Sequence, residues 1–240
     1  MTVLKQKLVP GLVGISTYVD FAYQKEMQLA AVAIAGTGGP INQLRTITVT
    51  LDFSLLVTNL QAGNRDAAEE QVAAATQVLQ MANADFIVVT SGTTSTLTKL
   101  ARQRLSIPFL DLAAACFKPA PPAGPVGLLS TSYAAAGGLF QSAAKAHDVA
   151  IIVPSPETAK RVDQAIFGEL VRGAASEECL TIFSSAIGEL VDAGAKFVIL
   201  GNTDLTLIVD ALEKTSAVPL IDATRAHARD AARAAMSGQL

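Results

Sequence analysis

"ADFIVVTSGTTSTL" (residues 84–97) and "AKFVILGNTDLTLI" (residues 195–208) align without a gap when the chain is laid over itself, Ala84 on Ala195. Each opens with an apolar run, stops in a polar turn and continues into a segment of helical length. Each is followed, at the same distance, by an X-Pro strand: "SIPFLD" (residues 106–111) and "AVPLID" (residues 217–222). A unit of strand, turn, helix and strand that recurs within one chain marks an internal repeat. "GLVGISTY" (residues 11–18) and "GLLSTSYA" (residues 127–134) form a second, looser pair, both apolar strands running into hydroxyl-rich turns.

Further out, "LVPGLVG", "TITVTL", "PVGLLS" and "VAIIVP" read as more strands, again separated by segments long enough for helices. That alternation builds parallel βαβ units and not a sandwich. The predicted fold is α/β, with two pseudo-symmetric Rossmann-like halves, each a parallel sheet flanked by helices. "KPAPPAGP" (residues 118–125) is too rich in proline for a helix or a central strand and is the expected crossing point. The first half is therefore drawn over residues 1–117 and 216–240, and the second over 118–215.

The connecting helices have legible ends. In "SPETAKRVDQAIFGELVRG" (residues 155–173), Ser155 suits the N-cap, Pro156 the first turn and Gly173 the position after the last. Val162, Ile166, Phe167 and Leu170 then form one apolar face. "GTGGP" (residues 36–40) follows a helix-like alanine segment and has no Lys after it, so it is neither a P-loop nor a dinucleotide turn and reads as a flexible connection.

Composition narrows the partners. Of the 240 residues, 50% are hydrophobic and 16% charged, yet no uninterrupted apolar stretch reaches the roughly 18 residues that a membrane span requires. The apolar surplus is expected in a core and a subunit interface, which predicts a homo-oligomer without a membrane partner. "MTVLKQKLVPGLVG" lacks the apolar region and cleavage site of a secretory signal, so a cytoplasmic protein is expected. A net charge of -3 without a Lys/Arg run argues against nucleic acid. Cys116, Cys179 and two histidines supply neither a zinc cluster nor a disulfide framework. No metal is predicted, and the two thiols are read as structural.

In open parallel sheets a ligand binds beyond the carboxyl ends of the strands, where helix N-termini offer N–H groups. Four such ends are rich in hydroxyls or amides: Ser16 and Thr17, Thr90 to Ser95, Ser130 to Ser132, and Asn202 to Asp204. The repeat places Ser91 and Asn202 in equivalent turns, facing each other across a cleft if a pseudo-twofold axis relates the halves. Such turns suit a small-molecule carboxylate substrate. The same residue types also cap helices, and the two roles are compatible.

These features together resemble the aspartate/glutamate racemase family. The resemblance runs through "LDFSLLVTNLQAGNRDAAEEQVAAATQVLQMANADFIVVTSGTTS", "VGLLSTSYA", "VPSPETAKRVDQAIFGELVRG", "DAGAKFVILGNTDLTL" and "VPLIDATRAHARDAA". It implies an enzyme that needs no cofactor, with its active site between two similar halves. The family pattern ends one strand in Ala-Cys-Asn-Thr, with Thr at the Cys position in some members, and the other in Gly-Cys-Thr-Glu. Here those positions read Thr90-Ser91-Gly92-Thr93 and Gly201-Asn202-Thr203-Asp204.

The resemblance assigns Thr93, Thr203 and Thr131 to the substrate carboxylate, and Ser16, Thr17 and Gly92 join them as candidate substrate-binding residues from the turns themselves. It matches His227 to the His of a Thr-x-x-His-Ala pattern, preceded by Asp222 and Thr224, and sets Asp204 where the family has Glu. "VGISTYVDF" is shorter than the family's Gly-Gly-Met-rich turn, which lets Tyr18 and Asp20 project into the cleft. "LDFSLLVTNLQ" lacks the acidic residue expected after its Asp-Phe, so the family's substrate preference does not carry over.

Racemisation without a cofactor removes a proton from one face of Cα and returns one on the other. A thiol with a pKa of about 8.5 serves as such a base, whereas a Ser hydroxyl does not ionise unaided and an Asn amide is not a base. A two-cysteine racemase is thereby excluded. The expected function is altered chemistry on a small carboxylate or amino-acid-derived substrate, of lyase, dehydratase, cyclase or isomerase type. Ser91 and Asn202 would bind an oxyanion or enolate, while His227, Asp204, Tyr18 or Asp20 moves the proton. Three alternatives stay open: a non-catalytic homologue that binds a small acid or a protein partner, residual Asp/Glu racemase activity, and a racemase inactivated at its cysteines.

Overall fold

A computed structural model describes residues 6–36, 43–118 and 124–240. The expected crossing point at 118–125 and the expected flexible connection at 36–40 fall largely outside the described residues. The chain divides into two compact units, residues 1–111 with 227–240 and residues 112–226.

In the first unit, strand β1 (Pro10–Gly14) leads into helix α1 (Thr17–Ala35), β2 (Ile47–Thr50), α2 (Phe53–Gln61), α3 (Arg65–Met81), β3 (Phe86–Val89), α4 (Gly92–Ser95) and α5 (Lys99–Arg104). The three strands are parallel in the order β2-β1-β3, with Leu12 in register with Thr48 and Val88. Side chains alternate across the sheet. Val13, Ile87 and Val89 pack with Val72 and Leu79 of α3, while Leu12, Phe86 and Val88 pack on the other face with Tyr23 and Met27 of α1 and Ala228 and Ala231 near the C-terminus. Burial on both faces explains why these strands read as continuous apolar runs.

"SIPFLD", read as a strand, is reduced to one bridge between Ile87 and Phe109. Ile87 N–H donates to Pro108 O at 2.8 Å and Leu110 N–H to Ile87 O at 2.9 Å.

The second unit runs α6 (Leu112–Ala115), β4 (Val126–Leu129), α7 (Ser132–Ala136), α8 (Leu139–Lys145), β5 (Ile151–Ile152), α9 (Pro156–Gly168), α10 (Glu177–Asp192), β6 (Phe197–Leu200), a 3-10 turn (Thr203–Leu207), α11 (Val209–Glu213) and β7 (Leu220–Asp222). The last helix, α12 (Ala223–Ser237), begins here, and its residues from 227 onward belong to the first unit. The sheet is parallel in the order β5-β4-β6-β7. One face packs on α9 and α10 through Val162, Ile166, Phe183 and Leu190, and the other on α6 and α8 through Leu112, Phe140 and Ala144.

The unit boundaries differ from those drawn on the sequence. Because β7 pairs with β6, with Ile199 opposite Ile221, residues 216–226 belong to the second unit and not to the first. Residues 112–117 move for a similar reason, since Leu112, Cys116 and Phe117 pack with Val126 and Phe140.

Helix α9 also departs from its expected extent. Ser155 caps it and Pro156 opens it, but it stops at Gly168, and a 3-10 turn over Leu170–Arg172 closes on Gly173 in the left-handed conformation, φ 73°. Val162, Ile166 and Leu170 are buried, whereas Phe167, placed on the same face from the sequence, is 45% exposed. Phe167 follows Ile166 by one residue, about 100° around the helix, which turns it out of the core.

Candidate functional site

The hydroxyl- and amide-rich turns do lie at the carboxyl ends of parallel strands, in both units. In the first unit they converge on a carboxylate. Asp20, in the first turn of α1, is 6% exposed. It accepts hydrogen bonds from Ile15 N–H (3.1 Å), Thr50 Oγ1 (3.0 Å) and Thr90 Oγ1 (3.0 Å), so one side chain ties together the ends of β1, β2 and β3. Gly14 makes room for it: a Cβ there would sit 2.1 Å from Asp20 Oδ2. Asp20 is thus part of the interior, where the sequence reading aimed it into a cleft. Tyr18, two residues earlier, is half-exposed, as is fitting for a side chain on the outer side of α1.

The other first-unit candidates act as caps. Ser16 accepts from Val19 N–H at 3.3 Å and Thr17 opens α1 with its side chain exposed. Ser91 accepts from Thr94 N–H at 3.2 Å, and Ser95 Oγ donates to Ser91 O at 2.7 Å, winding the short helix α4. Gly92 is buried and Thr93 half-buried in that turn. Since β1 and β3 are neighbours, the Ser16–Thr17 and Thr90–Thr93 turns share one edge of the sheet.

His227, on α12, is fully buried in the first unit and faces α1. Its Nδ1 lies 3.1 Å from Tyr23 Oη, and the two rings meet edge to face, 5.8 Å apart. Sequence reading named His227 but gave no sign of Tyr23, whose position on α1 reads simply as core.

In the second unit, β4 and β6 are paired, which brings the turns at residues 130–132 and 201–204 side by side. Gly201 is required by packing, since a Cβ there would lie 2.7 Å from Leu128 and 2.9 Å from Phe140. Thr131 caps α7, accepting from Ala134 N–H at 3.2 Å.

Asn202 accepts from Asp204 N–H at 3.1 Å through Oδ1, and its side-chain amide favours the charged form of the Asp204 carboxyl. Asp204 is 8% exposed, and burial pushes its pKa up to about 6 against the smaller opposing pull of Asn202. A carboxyl in that range exists in both protonation states near neutral pH, as a general acid/base must. Thr203 is buried, and its carbonyl accepts from Thr224 Oγ1 at 3.2 Å. Asp222 holds the start of α12 by accepting from Thr224 N–H (2.8 Å) and Arg225 N–H (3.3 Å), and burial raises its pKa too.

The thiols lie elsewhere. Cys116 is buried with Sγ 3.4 Å from Leu112 O, and Cys179 is buried in α10, its pKa pushed up to about 11 by burial and, secondarily, by the charge of Glu169. A thiol shifted upward like that of Cys179 is not a ready thiolate. Among the described residues no three His, Cys, Asp or Glu side chains are grouped to hold a metal ion. Among them, too, no helix is long and apolar enough to cross a membrane.

A parallel α/β architecture with polar turns at the carboxyl ends of its strands places this chain among the open-sheet α/β proteins. Within it, the model of the Asp/Glu/hydantoin racemase family matches residues 33–231. The chain belongs to that family. It is similar to a Yersinia pestis protein whose crystal structure is described provisionally as an Asp/Glu racemase, at 25% identity and TM-score 0.79 over 95% of this chain and 99% of that one. It shares its fold with an aspartate racemase homologue from Pyrococcus horikoshii (18% identity, TM-score 0.74, 95% and 99% covered). The same holds for the aspartate racemase of Picrophilus torridus (16% identity, TM-score 0.69, 95% and 94% covered).

Proposed function

We propose that this chain is a cofactor-independent enzyme that moves one proton on a small carboxylate or amino-acid-derived substrate, with Asp204 as the acid/base. The reaction is of lyase, dehydratase, cyclase or isomerase type and not two-base racemisation. The observation that carries this reading is the pairing of Asn202 with a carboxyl whose pKa burial has raised to about 6. Asn202, at a position where the family's second base would stand, is no base itself but fixes the turn that carries Asp204 by accepting from its N–H. Ser91, at the other such position, spends its Oγ on Thr94 N–H.

With one competent base, the proton leaves and returns on the same face, or leaves as the neighbouring carbon expels a group with the bonding electron pair. Both outcomes need a carboxylate next to the reacting carbon, to carry the developing charge. Within the second unit, Thr131 and Thr203 and the N–H groups of the turns that carry them supply polar groups of the right kind.

The test is incubation in D2O with L- and D-aspartate, L- and D-glutamate, L-malate and succinate, followed by NMR. Deuterium uptake or product from one of them, reduced at least about 100-fold by Asp204→Asn and retained in part by Asp204→Glu, is the expected result. Because the free-enzyme base titrates near 6, kcat/KM should rise as pH passes that value. Interconversion of free L- and D-amino acids, or turnover that survives Asp204→Asn, would overturn the proposal. Binding without exchange or product would favour the non-catalytic homologue.

A further inference from the structure

Ser130 stands one residue beyond β4, alongside Gly201, which stands one residue beyond β6. It is 6% exposed, and its Oγ has no hydrogen-bond partner among the described residues. A hydroxyl buried in this way without a partner is destabilising, a penalty that alanine at the same place would remove. The neighbouring positions of the turn have structural tasks: Thr131 Oγ1 caps α7 and Ser132 N–H donates to Asp163 Oδ1 at 2.9 Å. Ser130 has none that the fold supplies. It sits on the strand paired with the one that leads into Asn202 and Asp204, at the end of the sheet where ligands bind.

We propose that Ser130 is a substrate-binding residue whose hydroxyl donates to a carboxylate oxygen of the small acid on which Asp204 acts. The proposal rests on the functional reading above for the location of the reaction, but not for its course. The hydroxyl is retained because the acid satisfies it on binding: the unliganded protein carries the desolvation penalty, and the complex does not. A site built to donate to a substrate oxygen also rejects analogues lacking that oxygen, because the hydroxyl is then left unpaired.

The experiment compares Asp204→Asn with the Asp204→Asn/Ser130→Ala double variant, so that binding is read without turnover, and assays wild type and Ser130→Ala for turnover in parallel. Calorimetry and ligand-observed NMR measure the affinity of succinate, L-malate and L- and D-aspartate, and thermal melts measure stability without ligand. For at least one of these acids, Ser130→Ala should weaken binding tenfold or more while leaving the melting temperature equal or higher. A purely structural hydroxyl would lower the melting temperature, and that result overturns the proposal. So does unchanged affinity for an acid that the Ser130-containing protein binds, or the absence of binding by all four. If affinity depends on Ser130 but no variant with Asp204 intact turns any acid over, the proposed enzyme activity fails and the binding role of Ser130 stands.

Discussion

At the scale of single residues, Asp204 ties function to stability. Its pKa is about 6 in the folded protein against 3.8 for an unperturbed aspartate, because burial penalises the charged form. Well below pH 3.8 the carboxyl is neutral in both the folded and unfolded chain, and its titration takes nothing from stability. As pH rises toward 6 the unfolded chain ionises freely while the folded one retains its proton, so the folded state loses stability across that window, up to about 3 kcal/mol. Urea unfolding at pH 4, 5, 6 and 7 should show that Asp204→Asn becomes progressively more stable than wild type, with the difference levelling off above about 6. A constant difference across the series would mean that Asp204 titrates normally. Asp222 is raised in the same direction, so some acid-side slope should persist in the variant. The sequence marked Asp204 as a candidate by its place in a motif, but its protonation behaviour follows from what surrounds it.

At the scale of elements, the first sheet is tied at its carboxyl edge by Asp20. Removing that side chain leaves Ile15 N–H and the Thr50 hydroxyl without their acceptor, and Thr90 Oγ1 with Val13 O alone, 3.1 Å away. Asp20→Ala should therefore cost about 3 kcal/mol, read by denaturant unfolding. Gly14→Ala should be destabilising too, since its methyl group would collide with the same carboxylate. In the Asp20→Ala background that collision disappears, so the double variant should be less damaged than the two single losses combined. Strict additivity would show that Gly14 is needed for another reason. The strands themselves were legible, because a strand buried on both faces declares itself as an apolar run. The carboxylate that joins them was not: Asp20 and Thr90 are 70 residues apart, and nothing in either local pattern announces the other.

At the scale of the whole chain, residues after 226 return to complete the first unit's core. Ala228, Ala231, Ala234 and Ala235 pack with Leu12, Tyr23, Met27, Phe86 and Val88. Lys7 N–H and Leu8 N–H also donate to Ala235 O, at 2.8 and 3.1 Å. Deleting residues 227–240 should expose that apolar face and unfold the first unit, with loss of its helical circular dichroism and of the dispersed NMR signals of β1 and β3. Retention of those signals would show that the C-terminal segment is dispensable.

What the amino-acid sequence determined by itself was the set of parallel strands, the repeat that relates Ala84–Leu97 to Ala195–Ile208, several helix caps and the family. All of these rest on patterns a few residues long or on their recurrence. Tertiary structure alone decided that β7 joins the second sheet, that Phe167 faces outward, that Asp20 is a buried tie and that His227 pairs with Tyr23 at a separation of 204 residues. Burial and hydrogen-bond partners set the charge state and task of a polar side chain, and both are supplied by segments that only folding brings together.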